Sequence, residues 1–159
     1  MKDNILTMDE IDLKILDLLQ DDGKLTTQNL ADRIGLSKTA VYDRVRKLEK
    51  NGTIQKYVAI LNSKAVNRNL LVYTMLTLEN VGDIGQRNTR EQLLEISEIE
   101  ELLHTGGPFN FILKIRVSDI QSYRKLLMDR IAIIANVKEV TSHFVLEVLK
   151  STTKIELGV

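Results

Sequence analysis

The chain has 159 residues, of which 43% are apolar and only one is proline, so it is long enough to bury a core as one domain or two small ones. It contains no cysteine, which excludes disulfides, thiolate nucleophiles and cysteine metal sites. No run approaches the roughly 20 apolar residues of a membrane span, and the N-terminus is acidic, so we expect a cytoplasmic protein without membrane contact.

The net charge is zero, but the charges are unevenly distributed along the chain. Residues 1–32 hold three Lys/Arg against eight Asp/Glu, and residues 63–159 hold twelve of each. Residues 33–62 hold seven against two, a local net charge of +5. Such a basic segment is typical of a surface that meets nucleic acid phosphates.

A first helix is predicted to follow Thr7–Glu10, which has the pattern of a capping box. Four apolar residues then recur at helical spacing before the chain reaches Asp21–Gly23: Ile11, Ile15, Leu18 and Leu19. We expect this helix to be scaffold, packed against the two helices after it.

Two short helices are predicted next, joined by the three-residue turn Gly35–Ser37. Thr26 is the predicted N-cap of the first, Ser37 is the predicted N-cap of the second, and Gly52 ends the second. The second helix has one apolar face and one polar, mainly basic face; the apolar residues are Val41, Val45 and Leu48, and the polar ones are Thr39, Asp43, Arg46 and Lys50. This spacing predicts a DNA-binding helix-turn-helix, in preference to a merely solvated amphipathic helix.

A recognition helix enters the major groove with its N-terminal part, which selects the candidate DNA contacts. The predicted base-edge contacts are Lys38, Thr39, Tyr42 and Arg46, and the predicted phosphate contacts are Ser37, Arg44 and Lys47. Arg44 lies close to the apolar stripe, so bracing the domain is an alternative role for it. Lys56 and Tyr57 are open between a phosphate contact and a purely structural role.

The periodicity changes after Gly52, where a short β-rich run around residues 54–61 predicts a wing or a strand leading away from the helices. Residues 63–69 are polar and weakly patterned, as in a linker. The sequence thus predicts a DNA-binding domain over residues 1–62 and a second domain over residues 70–159.

The second domain is predicted to have the element order βαββαβ. The expected strands and helices are Leu70–Leu78, Gln86–Ile96, Ile99–Thr105, Phe109–Val117, Asp119–Ile134 and Val137–Val148. An apolar pattern repeats after 38 residues: Ile96, Ile99 and Leu102 correspond to Ile134, Val137 and Val140. Two similar βαβ units predict a ferredoxin-like α+β sandwich with both helices on one face of the sheet.

The opposite face of that sheet is predicted to be partly apolar. The inner row of the third strand is predicted to be Phe109, Phe111, Leu113, Ile115 and Val117. Leu71, Tyr73, Met75 and Ile112 alternate out of phase with the inner rows. An apolar outer face is best buried against a second copy of the chain, so we expect at least a dimer. A dimer would place two recognition helices on a quasi-palindromic operator in double-stranded DNA.

These motifs carry a family resemblance. The residues are Met8-Asp9-x-x-Asp12-x-x-Ile15-Leu16, Leu30-Ala31, Leu36-Ser37-x-x-x-Val41-x-x-Arg44-Val45-x-x-Leu48-Glu49-x-x-Gly52-x-Ile54, and Gly107-x-x-Asn110 in the α/β domain. Over nearly the whole chain the pattern resembles the leucine-responsive regulator (Lrp/AsnC, feast/famine) family of transcription factors. The resemblance implies a winged helix-turn-helix, a ferredoxin-like domain that dimerises, assembly into tetramers or octamers, and an amino-acid effector between subunits.

The resemblance also indicates where an effector would bind. The candidate effector residues are Thr105, Gly106, Gly107, Asn110 and Ser142. Asn110 stands where the family pattern has an aspartate, and Val140 and Ser142 stand where it has a Thr-x-Thr pair. Because Asn110 is neutral, we expect a neutral or polar amino acid, not a cationic one. The open alternative is that Gly106–Pro108 is only a turn between strands.

Other classes of function have less support in the residues. There is no phosphate-binding glycine loop of the P-loop or dinucleotide type, and the two histidines, His104 and His143, fall on the predicted edge strands. We therefore expect no enzyme, no cofactor and no metal site. The runner-up to a sequence-specific regulator is an architectural, chromatin-like DNA-binding protein without an effector.

Overall fold

A computed structural model describes residues 8–158, apart from the side chains of residues 83 and 84. The chain forms two compact units. The helical unit contains residues 8–60 together with residues 150–158, and the sheet unit contains residues 61–149. Within the described residues, no helix is long and apolar enough to cross a membrane.

Three helices form the helical unit: α1 (Glu10–Asp21), α2 (Thr27–Ile34) and α3 (Lys38–Lys50). Their buried core consists of Ile15, Leu16, Leu30, Ala31, Val41 and Leu48. All three helices contribute, because α2 and α3 are too short to bury their apolar stripes against each other alone. The predicted scaffold role of the first helix is confirmed.

The helix ends explain the boundaries. The hydroxyl of Thr26 accepts a hydrogen bond from the backbone N–H of Asn29, and that of Ser37 accepts one from Ala40, so both predicted N-caps are confirmed. Gly35 and Gly52 have φ values of 78° and 79°. This left-handed conformation ends a helix, and glycine adopts it without the steric strain that a Cβ atom would cause.

The N-cap of α1 is Asp9, and not the expected Thr7, which lies outside the described residues. The Asp9 carboxylate accepts a hydrogen bond from the backbone N–H of Asp12 at 2.8 Å, and the Asp12 carboxylate accepts one from the N–H of Asp9 at 3.4 Å. This is a capping box two residues later than predicted, because aspartate serves at the N-cap as well as threonine does.

The segment after α3 differs from the prediction. Residues 54–69 contain no strand, so the β-rich run around residues 54–61 is irregular chain instead. A strand needs a hydrogen-bonded neighbour, and this segment is held by other contacts. The N–H of Ile54 donates to the Leu48 carbonyl, and the Tyr57 hydroxyl donates to Glu49 at 3.1 Å.

The sheet unit has the predicted order βαββαβ. Its elements are β1 (Leu70–Leu78), α4 (Asp83–Leu94), β2 (Ile99–His104), β3 (Phe111–Val117), α5 (Ile120–Leu126) and β4 (Val137–Phe144). The antiparallel sheet has the strand order β2-β3-β1-β4, so β2 and β4 are its edges, as expected. β4 ends four residues before the predicted Val148, because the last backbone partner on β1 is the Leu71 carbonyl, which accepts from Val145.

The two halves of the sheet unit repeat each other in hydrogen bonding as well as in sequence. The N–H groups of Ile96 and Ile99 donate to carbonyls three residues earlier, and those of Ile134 and Val137, 38 residues later, do the same. The halves differ in the second helix: the predicted helix Asp119–Ile134 consists of α5 followed by the π-helical turn Leu127–Ile131.

The two faces of the sheet differ in burial. On β1, Val72, Thr74, Leu76 and Leu78 are buried beneath the helices, whereas Tyr73, Met75 and Thr77 are half-buried on the opposite face. On β3 the buried row is Phe111, Leu113, Ile115 and Val117, as predicted. The outer face therefore carries Tyr73, Met75 and Ile112 as partly exposed apolar side chains.

The last described residues do not belong to the sheet unit. Residues 150–158, called the return segment below, pack in the helical unit, whereas the sequence placed all of residues 70–159 in one domain. The predicted boundary near residue 62 is close to the observed division between residues 60 and 61.

Candidate DNA-binding surface and effector loop

The exposed face of α3 begins at its first residue. Lys38, Thr39 and Tyr42 are exposed in the first two turns, and Arg46 and Lys47 are exposed in the next. Val41 and Leu48 are 0% and 2% exposed on the other side. Burial of these two residues fixes which side of α3 faces outward, so the candidate reading residues lie together on one surface.

The candidate side chains on this surface are available for an external partner. Among residues 8–158, Lys38, Tyr42, Arg46 and Lys47 make no salt bridge and no side-chain hydrogen bond. The Ser37 oxygen accepts from the Ala40 N–H at 3.2 Å, which leaves its own O–H free to donate at the helix N-terminus. Cationic and hydroxyl groups around a helix N-terminus suit a phosphate backbone.

Arg44 differs from the other candidate DNA contacts in that its side chain is paired within the helical unit. Its Nη1 atom donates to Asp9 Oδ2 and to Asp12 Oδ1, both at 2.7 Å. The Asp12 side chain is only 8% exposed, so this hydrogen bond gives a nearly buried carboxylate a cationic partner. Arg44 thus joins α3 to the capping box of α1, the bracing role that the sequence left open.

The pKa values of Asp9 and Arg44 are both shifted by the contacts of this brace. The pKa of Asp9 is lowered, first by the hydrogen bond from the Asp12 N–H and then by Arg44. The pKa of Arg44 is raised by its hydrogen bonds to the two carboxylates. Both shifts favour the charged forms, so the ion pair persists at neutral pH and holds α3 at a fixed angle to α1.

Tyr57 has structural contacts, one of the two roles that the sequence left open for it. Its hydroxyl donates to Glu49 on α3, and its ring lies beside Gly23, where an added Cβ would be 3.4 Å from the Tyr57 Cδ1. Burial and the Glu49 carboxylate raise the pKa of Tyr57 to about 12. Lys56 is exposed and stays a candidate phosphate contact.

The effector loop connects β2 to β3 over residues 105–110. The Thr105 N–H donates to the Asn110 carbonyl at 3.0 Å, and the Thr105 hydroxyl donates to the Phe109 carbonyl at 2.8 Å. The side-chain oxygen of Asn110 accepts from the Leu78 N–H at 2.8 Å, so Asn110 also ties the loop to β1. Asn110 therefore offers its amide N–H₂ group, not its oxygen, to a ligand.

Two loop glycines expose backbone donors. Gly106 and Gly107 are exposed, and within the described part of the chain their N–H groups make no backbone hydrogen bond. Gly107 has φ 135°, a conformation that side chains disfavour. The loop is therefore both a turn that requires glycine and a set of free donors suited to a carboxylate.

Ser142 is not brought to this loop within one chain. Ser142 lies on β4 and pairs with Thr74 of β1. Asn110 lies on the other side of β1, so about two strand spacings of about 4.8 Å separate Ser142 from Asn110. Its hydroxyl instead bonds to the Tyr123 hydroxyl, which also bonds to Thr74 at 2.9 Å. The pleat points Ser142 toward the helices, so within one chain Ser142 lies apart from the other four candidate effector residues.

The sequence also expected no metal site. His104 ends edge strand β2, where its ring lies 5.2 Å from that of Phe111, and His143 lies on the other edge strand. Among the described residues, no group of three or more His, Asp and Glu side chains is arranged to hold a metal ion.

A surface groove of about 420 Å³ lies in the helical unit between α1 and α2. Its lining residues are Lys14, Asp17, Leu18, Arg33 and Ile34. Neither the reading face of α3 nor the effector loop contributes to it. Sequence reasoning did not select this groove, because no periodic or motif signal joins these residues.

Family comparison decides between the classes of function that this geometry allows. Residues 8–55 match the model of a winged helix-turn-helix DNA-binding domain, and residues 71–155 match that of the Lrp/AsnC ligand binding domain. The chain is 38% identical over 150 residues to the leucine-responsive regulatory protein of Escherichia coli K12, covering 93% of this chain and 90% of that protein.

The chain belongs to the Lrp/AsnC family. It is a DNA-binding transcriptional regulator whose second domain is of the family's ligand-binding type.

Solved structures of other transcriptional regulators share the architecture. A transcriptional regulator from Neisseria meningitidis, solved as a complex with L-Met, is 26% identical, with a TM-score of 0.91 and coverage of 96% of this chain and 98% of that one. An AsnC family regulator from Agrobacterium tumefaciens is 31% identical, with a TM-score of 0.89 and coverage of 94% and 97%.

Proposed function

We propose that this Lrp/AsnC regulator reads operator DNA with the N-terminal half of α3 placed in the major groove. The observation that carries the proposal is the outward face of α3, where Lys38, Tyr42, Arg46 and Lys47 have no side-chain partner among residues 8–158. Val41 and Leu48 are buried on the opposite face. The Arg44 brace presets the direction of the outward face before DNA arrives.

The side chains on α3 divide by position. Lys38, Thr39, Tyr42 and Arg46 are proposed to contact base edges, and Ser37 and Lys47 to contact phosphates. Arginine is suited to a guanine because its guanidinium donates two parallel hydrogen bonds to O6 and N7. Base contacts would set the preferred sequence, whereas phosphate contacts would add affinity that falls as salt rises.

We also propose that two copies of the chain bind one operator together, each with its own recognition helix. One helix of 13 residues covers too few base pairs for specific affinity, so two copies are needed on half-sites about 10 bp apart or a multiple of that. The outer sheet face, with Tyr73, Met75 and Ile112 half-buried, is the surface that suits a second copy. The operator should therefore be quasi-palindromic, and the protein should be at least a dimer, with tetramers or octamers as higher assemblies.

The proposed effector is a neutral amino acid bound at a subunit contact around Thr105, Gly106, Gly107 and Asn110. Free glycine N–H groups would receive its carboxylate, and the neutral Asn110 supplies no charge to hold a cationic side chain. L-Methionine is the first candidate, because the Neisseria meningitidis structure is a complex with L-Met, and leucine is the second, from the name of the Escherichia coli relative.

Genomic immunoprecipitation should first define the operator, and binding assays should then compare Arg46→Ala with Lys50→Ala. If Arg46 reads a guanine, its loss costs about 1–3 kcal/mol on the operator and relaxes preference at one position. Lys50, in the last turn of α3, is the matched control and should change specific and random binding alike. Equal losses on operator and random DNA for Arg46→Ala would reassign it to the backbone. Uniform coating of unrelated DNA by the unaltered protein would favour the architectural alternative.

Calorimetry with L-methionine, L-leucine and L-lysine should test the effector proposal, using the unaltered protein and Asn110→Asp. The aspartate keeps an oxygen for the Leu78 N–H and adds the charge that the family pattern has. We expect a neutral amino acid to bind the unaltered protein better than lysine, and Asn110→Asp to narrow that difference. Absence of binding by any amino acid would return the loop to an ordinary turn.

A further inference from the structure

The return segment, residues 150–158, lies along α1, although it directly follows the sheet unit in the chain. Gln20 makes two hydrogen bonds to the backbone of Ile155. Its amide nitrogen donates to the Ile155 carbonyl at 3.1 Å, and its amide oxygen accepts from the Ile155 N–H at 2.6 Å. One side chain thus replaces a neighbouring strand for this extended residue.

Lys154 adds a charged contact beside it. Its Nζ atom lies 2.8 Å from Asp17 Oδ1 and 2.8 Å from Asp21 Oδ1. The two carboxylates are four residues apart and so lie on the same face of α1. Both hydrogen bonds raise the pKa of Lys154, which therefore keeps its charge throughout the physiological range.

Leu157 provides an apolar anchor. It is half-buried and packs against the core of the helical unit, whereas Ile155 is 70% exposed and Glu156 is exposed. The return segment therefore contacts the helical unit through the side chains of Lys154 and Leu157 and through the backbone of Ile155. Contacts of three kinds, made by three residues within a stretch of four, distinguish a docked segment from a chance surface contact.

We propose that the face of α1 formed by Asp17, Gln20 and Asp21 is a docking surface for the return segment, and that the docked segment is a second tether on the DNA-binding unit. The sheet unit runs from residue 61 to residue 149, so the chain connects to the helical unit at both of its ends. Two tethers leave the recognition helix less freedom than one, because each closed connection removes accessible orientations.

The expected consequence concerns operator geometry, and it rests on the paired reading proposed above. Two recognition helices held by double tethers should tolerate only a narrow range of half-site spacings. If the return segment is released, each helical unit follows a displaced half-site more easily. Undocking should therefore weaken discrimination between spacings more than it weakens binding at the best spacing.

The variant Lys154→Glu tests this in the full chain, since it places a carboxylate against Asp17 and Asp21. Lys150→Glu is the matched control, because it makes the same charge change in the same segment and Lys150 forms no salt bridge among residues 8–158. Amide hydrogen exchange of Ile155 reports docking directly, because its N–H donates to Gln20. We expect exchange about tenfold faster in Lys154→Glu and in Gln20→Ala, and unchanged in Lys150→Glu.

DNA binding is then measured on operators whose half-sites are moved apart by half a turn, about 5 bp. The unaltered protein and Lys150→Glu should discriminate against the displaced spacing, and Lys154→Glu should discriminate at least about threefold less. The triple variant Lys154→Glu with Asp17→Lys and Asp21→Lys reverses every charge of the contact. It should restore slow Ile155 exchange and spacing discrimination, which a general loss of folding would not allow.

The outcomes separate the two proposals. Unchanged Ile155 exchange in Lys154→Glu and Gln20→Ala would overturn the docking surface. Faster exchange with an unchanged spacing profile would overturn the tether. Failure of the unaltered protein to prefer any spacing would instead be a failure of paired reading, which the exchange experiment does not depend on.

Discussion

The helical unit and the sheet unit are held together in different ways. The sheet unit encloses thirteen buried side chains in one apolar cluster, whereas the corresponding cluster in the described part of the helical unit has six. Both units also have ion pairs. Arg44 with Asp9 and Asp12, and Lys154 with Asp17 and Asp21, join separate segments of the helical unit. In the sheet unit, Lys114 and Arg116 on β3 pair with Glu100 and Glu101 on neighbouring β2. Salt and pH therefore act on ion pairs in both units, but an ion pair is a larger fraction of the stabilising contacts in the helical unit, because its apolar cluster is smaller.

The largest effect is expected in the sheet core. Leu113 is 0% exposed at the centre of β3, so Leu113→Ala should destabilise the sheet unit by about 2–5 kcal/mol through lost burial and a residual cavity. Leu103, on neighbouring β2, is 47% exposed, and Leu103→Ala is the matched control with a much smaller expected loss.

Urea unfolding followed by separate NMR signals from β1 and α3 would measure this loss in each unit. We expect Leu113→Ala to lower the unfolding midpoint of the β1 signals and to leave that of α3 nearly unchanged. An equal shift of both sets would show that the two units unfold together, which would remove the distinction between them.

The next effect tests the ionic brace. Arg44→Ala leaves the nearly buried Asp12 carboxylate without its cation, and we expect a loss of about 1–3 kcal/mol from the helical unit. Arg46→Ala, an exposed arginine on the same helix, should change stability by no more than about 0.5 kcal/mol. Urea unfolding monitored through α3 compares the two. Equal stabilities of the two variants would contradict the brace.

The pH dependence of that difference follows from Asp9, whose pKa is lower in the folded state. A lowered carboxyl pKa contributes stability that is present above the unfolded value of about 3.9 and is lost as pH falls through the folded value. The stability gap between the unaltered protein and Arg44→Ala should therefore be constant near neutrality and shrink below about pH 4. A gap that is unchanged in acid would show that Arg44 acts through packing and not through charge.

The sequence predicted the parts of the fold that depend on local signals. Thr26, Ser37 and Gly52 are helix ends because their side chains or φ values satisfy groups within a few residues, and all three were identified. The buried row of β3 followed from alternation, and the 38-residue repeat followed from residues such as Ile96 and Ile134, whose backbone bonds also repeat.

Contacts between distant residues were harder to predict. Gln20 and Ile155 are 135 positions apart and share no periodic pattern, so the return segment was assigned to the domain that precedes it. The face on which Ser142 lies could not be predicted, because a strand's register, which decides the face of each side chain, is set by its partner strand. Arg44 illustrates the intermediate case: its angle on the helix suggested two roles, and only the position of Asp12 decides between them.

The smallest effect on stability is expected in the segment after α3, where a strand was predicted and where a side-chain hydrogen bond joins Tyr57 to α3 instead. Tyr57 donates to Glu49, and burial and the Glu49 carboxylate raise its pKa to about 12. A raised pKa contributes stability that is fully present below the unfolded value of about 10 and is lost as pH rises toward 12. Because Tyr57 is 48% exposed, Tyr57→Phe should cost only about 0.5 kcal/mol at neutral pH.

Ultraviolet titration of the phenols measures the shift directly, since the unaltered protein should show a component near pH 12 that Tyr57→Phe lacks. Tyr42→Phe, at the exposed tyrosine of α3, should keep this component, and its presence in Tyr57→Phe would mean that the phenol does not bond to Glu49 in solution.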